Sequence, residues 1–381
     1  MNSKNKIILS VVAVLAIVVI IAFGIKNQMQ KQPEDGNVIK IAAILPLTGA
    51  QAVDGQELSD AISLAAETLN ELHKNDQGHR KIQLLIEDSQ LSPKTAITVF
   101  NKLMEKKPSA VIVGGSTIAQ TLAPLVDKTE TPLFCLLSSD EELPATGKWI
   151  FRFFPSDKEE VFTMADYAKK NLNINSIYLL SINNIQGENV SSYVESAFAE
   201  KGIKIVGKNT FAIDETNPRS TITNAFSTKP DAFYIFGYGP GYCTCFNVIR
   251  ELGFTGPILT WDPMSLDFYQ NSVKQSEHII YYTAPKFSQD FNQASESLYK
   301  SYKNKYNKIP GFTTSFGYES IIMIDKVFNK AADNKSDLLQ EILNYSDDNS
   351  STGKISFDRT GGLLSEPSIS TLQNSEVKLI Q

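Results

Sequence analysis

The chain has 381 residues, with 36 Lys and Arg against 42 Asp and Glu and a formal net charge of −6. A hydrophobic fraction of 42% and a charged fraction of 20% fit a folded protein long enough for two sizeable cores. The acidic balance, with no Lys/Arg cluster beside an aromatic platform, argues against a nucleic-acid partner.

At the N-terminus, Lys4 and Lys6 precede an uncharged run from Ile7 to Phe23. As a helix it would span roughly 26 Å, slightly short of a hydrocarbon core of about 30 Å. Ala22-Phe23-Gly24 suits cleavage before Ile25. Residues 1–27 therefore read either as a cleaved signal peptide or as a retained membrane anchor, and either would send the remainder of the chain across the membrane. No Cys succeeds the run, which excludes lipid attachment there. Residues 28–37 (QMQKQPEDGN) are polar and read as a linker.

From Val38 onward, short apolar runs alternate with amphipathic segments. Strands are expected at 39–46, 82–88, 110–115, 132–138, 176–182, 203–211, 232–238, 257–261 and 279–285. Several are apolar at both alternations, as strands covered on both faces should be. Helix starts are marked by Ser92-Pro93, an N-cap with proline at the first helical position, and by the capping box Ser156-Asp157-Lys158-Glu159. Leu58, Ile62, Ala65, Ala66, Leu69 and Leu72 make one stripe of a helix over 55–72. The alternation predicts parallel sheets with right-handed crossovers, and the strand–helix series occurs twice, dividing near Lys148–Asp157.

Chemistry-bearing patterns are few. The stretch IFGYGPGYCTC carries Gly-x-Gly-x-Gly around Pro240, not the Gly-x-Gly-x-x-Gly of a dinucleotide loop, and it comes late in the chain. Cys243 and Cys245 lack two further ligands for a metal, and a disulfide between them would be strained. Cys135, in PLFCLL, reads as a buried small hydrophobe. His73 and His79 are six apart, not four as on a zinc helix, and His278 stands alone. With no nucleophile elbow and no phosphate loop, neither catalysis nor a cofactor nor a metal is expected.

Four segments in order carry a resemblance: IKIAAILPLTGAQAVDGQELSDAISLAAETLNE (39–71), GKWIFRFFPSDKEE (147–160), PDAFYIFGYGPGYCTCFNVIRELGFTGPILT (230–260) and TGKISFDRTGG (352–362). Together they resemble the Leu/Ile/Val-binding-protein-like branch of the type I periplasmic solute-binding proteins. The resemblance implies α/β sandwich lobes of parallel sheet joined by three crossovers, near Phe153–Pro155, Tyr282–Pro285 and Asn344–Gly353. Lobe 1 would be 38–154 plus 284–345 and lobe 2 155–283 plus 346–381. A ligand would lie in the cleft beyond the strand ends, held by hinge closure. The implied partners are a small amino-acid-like or amide ligand and an ABC permease. The alternative is a membrane-anchored sensor of the same fold acting through a partner protein.

The resemblance also implies site residues. Ser116 or Thr117, at a helix start after AVIVGG, would hold a ligand carboxylate, since free N–H groups and the helix dipole favour an anion. Ser138, Ser139 and Asp140 would contact its amine or carboxylate, Asp140 standing where relatives often have Thr. Tyr238 falls at a ring-bearing position and can face an ammonium. Asp262, in LTWDPMS, falls where relatives place the acid that takes the amine. Trp261 beside it would wall the pocket or fill the core. Gln186 and Asp54 replace residues that are often aromatic, which implies a pocket too polar for Leu or Val and suited to a polar or cationic amino acid or amide.

Overall fold

The computed structural model describes residues 38–265, 267–273, 279–331, 334–364, 367–374 and 376–380. Residues 1–37, which hold the expected signal or anchor and linker, lie outside them, as does His278.

Strand β1 (Val38–Leu45) shows why both of its alternations are apolar. Ile39, Ile41, Ala43 and Leu45 enter one core, and Ala42 and Ile44 enter a second core on the other face. Helix α1 (Ala52–Leu72), β2 (Lys81–Asp88), α2 (Pro93–Met104), β3 (Ala110–Gly114), α3 (Ser116–Thr129), β4 (Leu133–Leu136) and β5 (Ile150–Arg152) come next. They make a sheet of order β2-β1-β3-β4-β5, with parallel pairing from β1 to β5. The Ser92 hydroxyl caps α2 by accepting from Thr95 N at 3.3 Å. β5 is not among the expected strands: its three residues lie in the stretch read as a crossover.

The chain then enters a second, seven-stranded sheet. Its elements are α4 (Asp157–Lys170), β6 (Ser176–Ile182), α5 (Ile185–Glu200), β7 (Lys204–Phe211), α6 (Arg219–Ser227), β8 (Ala232–Phe236), α7 (Gly239–Glu251), β9 (Ile258–Thr260), a 3-10 turn (Asp262–Ser265), α8 (Asp267–Ser272) and β10 (Ile280–Ala284). The Ser156 hydroxyl accepts from Glu159 N at the start of α4, as the capping box requires. Strands β7-β6-β8-β9-β10 are parallel.

Helices α9 (Gln293–Tyr306), α10 (Phe312–Ala331) and α11 (Lys335–Leu343) return to the first sheet, α10 against α1. Strands β11 (Ser346–Ser350), β12 (Gly353–Phe357) and β13 (Leu363–Leu364) form a small antiparallel sheet. Gly362 bridges in parallel to Arg152 of β5, and the Phe357 ring packs on Phe151 and Phe153. Residues 346–364 therefore stand with the first sheet. The third passage comes after Leu364, later than the expected Asn344–Gly353, because β12 and β13 are held by the aromatic cluster at the end of β5. Strands β14 (Ser368–Gln373) and β15 (Glu376–Leu379) then extend the seven-stranded sheet antiparallel.

Two glycines set how closely the helices approach the strand ends. A Cβ on Gly55 in α1 would sit 2.1 Å from the carbonyl oxygen of Pro46, just beyond β1. A Cβ on Gly187 in α5 would sit 1.8 Å from that of Ile182, the last residue of β6. In each lobe the first helix after the first strand thus starts in contact with the carboxyl end of the sheet. The residues just before these glycines, Asp54 and Gln186, are carried to the same region. Gly187→Ala should lower stability by about 1–3 kcal/mol through overpacking. Gly78→Ala, whose Cβ meets only an Asp76 oxygen at 3.6 Å, should be near neutral. Equal denaturation midpoints for the two variants would refute the close-approach argument.

Candidate functional site

The cavity lies at the carboxyl ends of the strands and is lined from both sheets. Gln51, Asp54, Leu137, Ser139, Phe154, Phe312 and Thr313 come from the first side, and Gln186, Tyr238, Trp261, Asp262 and Pro263 from the second. Its volume is about 30 Å³. Pockets that hold small ligands run to roughly 300–1,000 Å³, so a ligand of amino-acid size enters only if the lobes part.

Asp54, in the first turn of α1, is buried, and its Oδ2 accepts from the hydroxyl of Tyr269 across the cleft at 3.2 Å. Gln186, in the first turn of α5, also spans the cleft. Its Nε2 donates to Ser139 Oγ at 2.9 Å and to Asp157 Oδ2 at 3.2 Å. Tyr238 is the extended residue preceding α7, and its hydroxyl accepts from Asn184 Nδ2 at 3.0 Å. Asp262 opens the 3-10 turn after β9 and is 1% exposed. Trp261 serves in both expected capacities: it lines the cavity while its ring packs on Phe236 and its Nε1 donates to Gly237 O at 2.8 Å.

Four expected residues lie outside the lining. Ser116 begins α3 and Ser138 lies just beyond β4; both are buried, and neither hydroxyl finds a partner among the described residues. Thr117 is half-buried on α3. Asp140 has both oxygens engaged, accepting from Gln120 Nε2 at 2.6 Å and from Glu142 N at 3.1 Å. It therefore braces its own loop. Leu137, at a φ of +49°, sits in the left-handed region that a side chain rarely adopts, and it turns the chain so that Ser139, not its neighbours, faces the cavity.

Sequence reasoning misses Gln51, Leu137, Phe154, Phe312 and Thr313. Phe154 lies inside the FRFFPSD segment, and Gln51 stands just past the Thr-Gly loop. Phe312 and Thr313 give no local signal, because they reach the site only through the packing of α10 on α1. The histidines also differ from expectation. His73 and His79 stack at 3.8 Å across the turn after α1, and His79 Nε2 lies 2.8 Å from Asp325 Oδ1. This is the one set of three metal-ligand atoms within 4.8 Å among the described residues, and it is remote in sequence because Asp325 comes from α10. Cys135, Cys243 and Cys245 are free and buried.

The electrostatics are unusual for so small a space. Asp157 and Glu160, on the first turn of α4, are buried with Asp262. Glu160 Oε2 accepts from Thr283 Oγ1 at 2.7 Å. Burial raises the pKa of Asp54 to about 7, with the Glu57 charge adding to it and the Tyr269 hydrogen bond opposing. Burial also raises Asp157 to about 7, against hydrogen bonds from Ser139 and Gln186. Glu160 and Asp262 are likewise pushed up, by burial first and then by neighbouring carboxylates. The Asp262 Oδ2, Asp157 Oδ1 and Gln51 Oε1 atoms are buried with no donor among the described residues. No Lys, Arg or His is among the lining residues. The guanidinium of Arg152, which is buried, is spent on the carbonyls of Phe154 and Leu363 and on Glu141.

An α/β architecture of two lobes around a small cavity, with contacts across the cleft, is that of a ligand-binding protein with its lobes drawn together. The chain belongs to the periplasmic binding protein family, whose model matches residues 38–371, in its Leu/Ile/Val-binding-protein-like branch. An amino acid binding protein of Pseudomonas aeruginosa is 20% identical over 326 residues, covering 84% of this chain and 85% of that protein. The fold is similar to that of a leucine-binding protein of Thermotoga maritima, with a TM-score of 0.83, 22% identity and coverage of 90% of this chain and 98% of that one. It is also similar to a solute-binding protein of R. palustris in complex with benzoate, with a TM-score of 0.79, 16% identity and coverage of 90% and 95%. No helix of the described residues is long and apolar enough to cross a membrane.

The raised carboxyl groups make stability depend on pH. The folded state keeps protons on Asp54 and Asp157 that the unfolded chain releases above about pH 4. Each such group costs up to about 1.4 kcal/mol per pH unit between the unfolded and folded values. The melting temperature of the ligand-free protein should therefore fall as pH rises from about 4 to about 7. Asp157→Asn should make that fall shallower. A midpoint that is flat or rising over this range would contradict the assignment.

Proposed function

We propose that the chain is an extracytoplasmic receptor that captures a small amine-bearing ligand, an amino acid or related amide, between its lobes and presents it to an ABC permease. It performs no catalytic step. The observation that carries this reading is Asp262, a buried carboxylate in the cavity wall whose Oδ2 has no donor among the described residues. An ammonium group would supply that donor and the missing positive charge together. Tyr238 lies in the same wall and brings an aromatic ring, a group that attracts cations. The cross-cleft bonds Asp54–Tyr269 and Gln186–Ser139 support closure of the lobes on each other, with entry by hinge opening. The proposed ligand residues are Asp54, Ser139, Gln186, Tyr238 and Asp262, joined by Gln51. Ser116, Thr117, Ser138 and Asp140 act behind them, shaping the loops.

Asp262→Ala should weaken binding of an amine-bearing ligand by roughly 2–5 kcal/mol, about 30-fold to several-thousand-fold in Kd. Calorimetric titration of wild type and variant with the same ligand checks it. Equal affinities would remove Asp262 from the site. Unchanged ligand uptake in cells lacking the protein would contradict delivery to a permease.

A further inference from the structure

Far from the cleft, the turn between α1 and β2 brings together three metal-ligating side chains that ligand capture does not use. His73 is the C-cap of α1, His79 stands just before β2, and Asp325 comes from α10, which packs on α1. One ligand atom from each lies within 4.8 Å of the others, the one such set of three among the described residues. Asp325 is buried and the two histidines are half-buried, so the set is positioned by the core and still reached by solvent. Helix α1 has 21 residues and carries Asp54 of the cleft in its first turn. At about 1.5 Å per residue, roughly 30 Å of helix separates the histidines from the cavity.

The spacing is close to that of a bound ion. Zinc holds imidazole nitrogen and carboxylate oxygen at about 2.0–2.2 Å, which puts the ligand atoms of a tetrahedral site roughly 3.3 Å apart. His79 Nε2 lies 2.8 Å from Asp325 Oδ1, and the third atom is within 4.8 Å of both. Shifts of up to about 1.5 Å therefore bring all three to the required spacing. The carboxylate is already oriented from behind: Asn329 Nδ2, one turn along α10, donates to Asp325 Oδ1 at 3.2 Å, and Asn329 Oδ1 accepts from Arg80 N at 2.9 Å. Asn329 Nδ2 also lies 3.2 Å from His79 Nε2. Outer partners of this kind hold metal-binding carboxylates in place. The stacked rings show what must move. A metal lies in the plane of each imidazole that binds it, so rings stacked 3.8 Å apart and 10° from parallel cannot share one ion. His79 is held by Asp325, whereas the His73 side chain makes no hydrogen bond or ion pair among the described residues. Residues 74–78 between them are exposed, so His73 is the ring that turns.

We propose that His73, His79 and Asp325 form a site for a divalent transition-metal ion of the zinc class, with water as the fourth ligand. Two imidazoles and one carboxylate suit zinc, copper or nickel, whereas magnesium and calcium take oxygen ligands. His79 and Asp325 are 246 residues apart in the chain, so the ion clamps the turn after α1 to α10. Binding to the folded state alone stabilises it. The site takes no part in ligand capture and does not rest on the amine-receptor reading.

The test is calorimetric titration of the purified full chain, untagged and stripped of metal with a chelator, with zinc chloride and with magnesium chloride at pH 7.5. Thermal melts with and without zinc accompany it. One equivalent of zinc should bind, magnesium should not, and zinc should raise the melting temperature. His73→Ala and His79→Ala should each weaken zinc binding at least tenfold. His278→Ala, at the one other histidine of the chain, should leave it unchanged. No zinc binding by the wild type, or binding of equal strength in wild type and His73→Ala, would overturn the proposal. So would a loss of binding in His278→Ala. Because the His73 side chain makes no hydrogen bond or ion pair among the described residues, His73→Ala should melt near the wild type without zinc and remain readable where His79→Ala does not fold.

Discussion

Carboxyl groups withdrawn from water, with no Lys, Arg or His among the residues that line the cavity, govern this molecule, and the cleft is built around them. Asp54, Asp157, Glu160 and Asp262 are buried where the strand ends of two sheets face each other, while the Arg152 guanidinium is committed to carbonyls and to Glu141. In a low-dielectric space such groups either hold protons or attract positive charge. Closing the lobes without a cation therefore favours protonation, and closing them on a cation favours ionisation. Ligand charge, lobe closure and proton binding become one equilibrium.

The backbone that places these acids is simple. Each sheet ends against the first turn of a helix, and a glycine in that turn permits the contact, Gly55 in one lobe and Gly187 in the other. The residue before each glycine faces the cleft, so Asp54 and Gln186 are related positions in two similar lobes. The same placement serves closure, since Asp54 reaches Tyr269 and Gln186 reaches Ser139 across the gap. A fold shared with a leucine-binding protein and with a solute-binding protein in complex with benzoate leaves the ligand to these few side chains. That is the usual division between scaffold and site.

Much of this is legible in the chain itself. The double apolar alternation of strands such as IKIAAIL, the Ser92 and Ser156 caps and the ordered family segments point to parallel sheets in two lobes. Asp54 and Gln186 stand out as polar residues in places often aromatic, and both line the cavity. What stays hidden depends on long-range packing. Phe312 and Thr313 arrive from a helix more than 250 positions beyond Gln51. Leu137 selects Ser139 over Ser138 and Asp140 through a left-handed backbone that no local pattern announces. The placement of residues 346–364 with the first sheet comes from the Arg152–Gly362 bridge and the Phe357 contacts, which link distant segments. His73, His79 and Asp325 meet for the same reason.

The central claim is that the cleft captures a small amine-bearing ligand on its buried carboxyl groups. It is tested most directly by mass spectrometry of the small molecules released when the protein, purified under native conditions, is denatured. A stoichiometric amine-bearing small molecule is the predicted result. A stoichiometric anion, or a neutral ligand without an amine, would contradict the account.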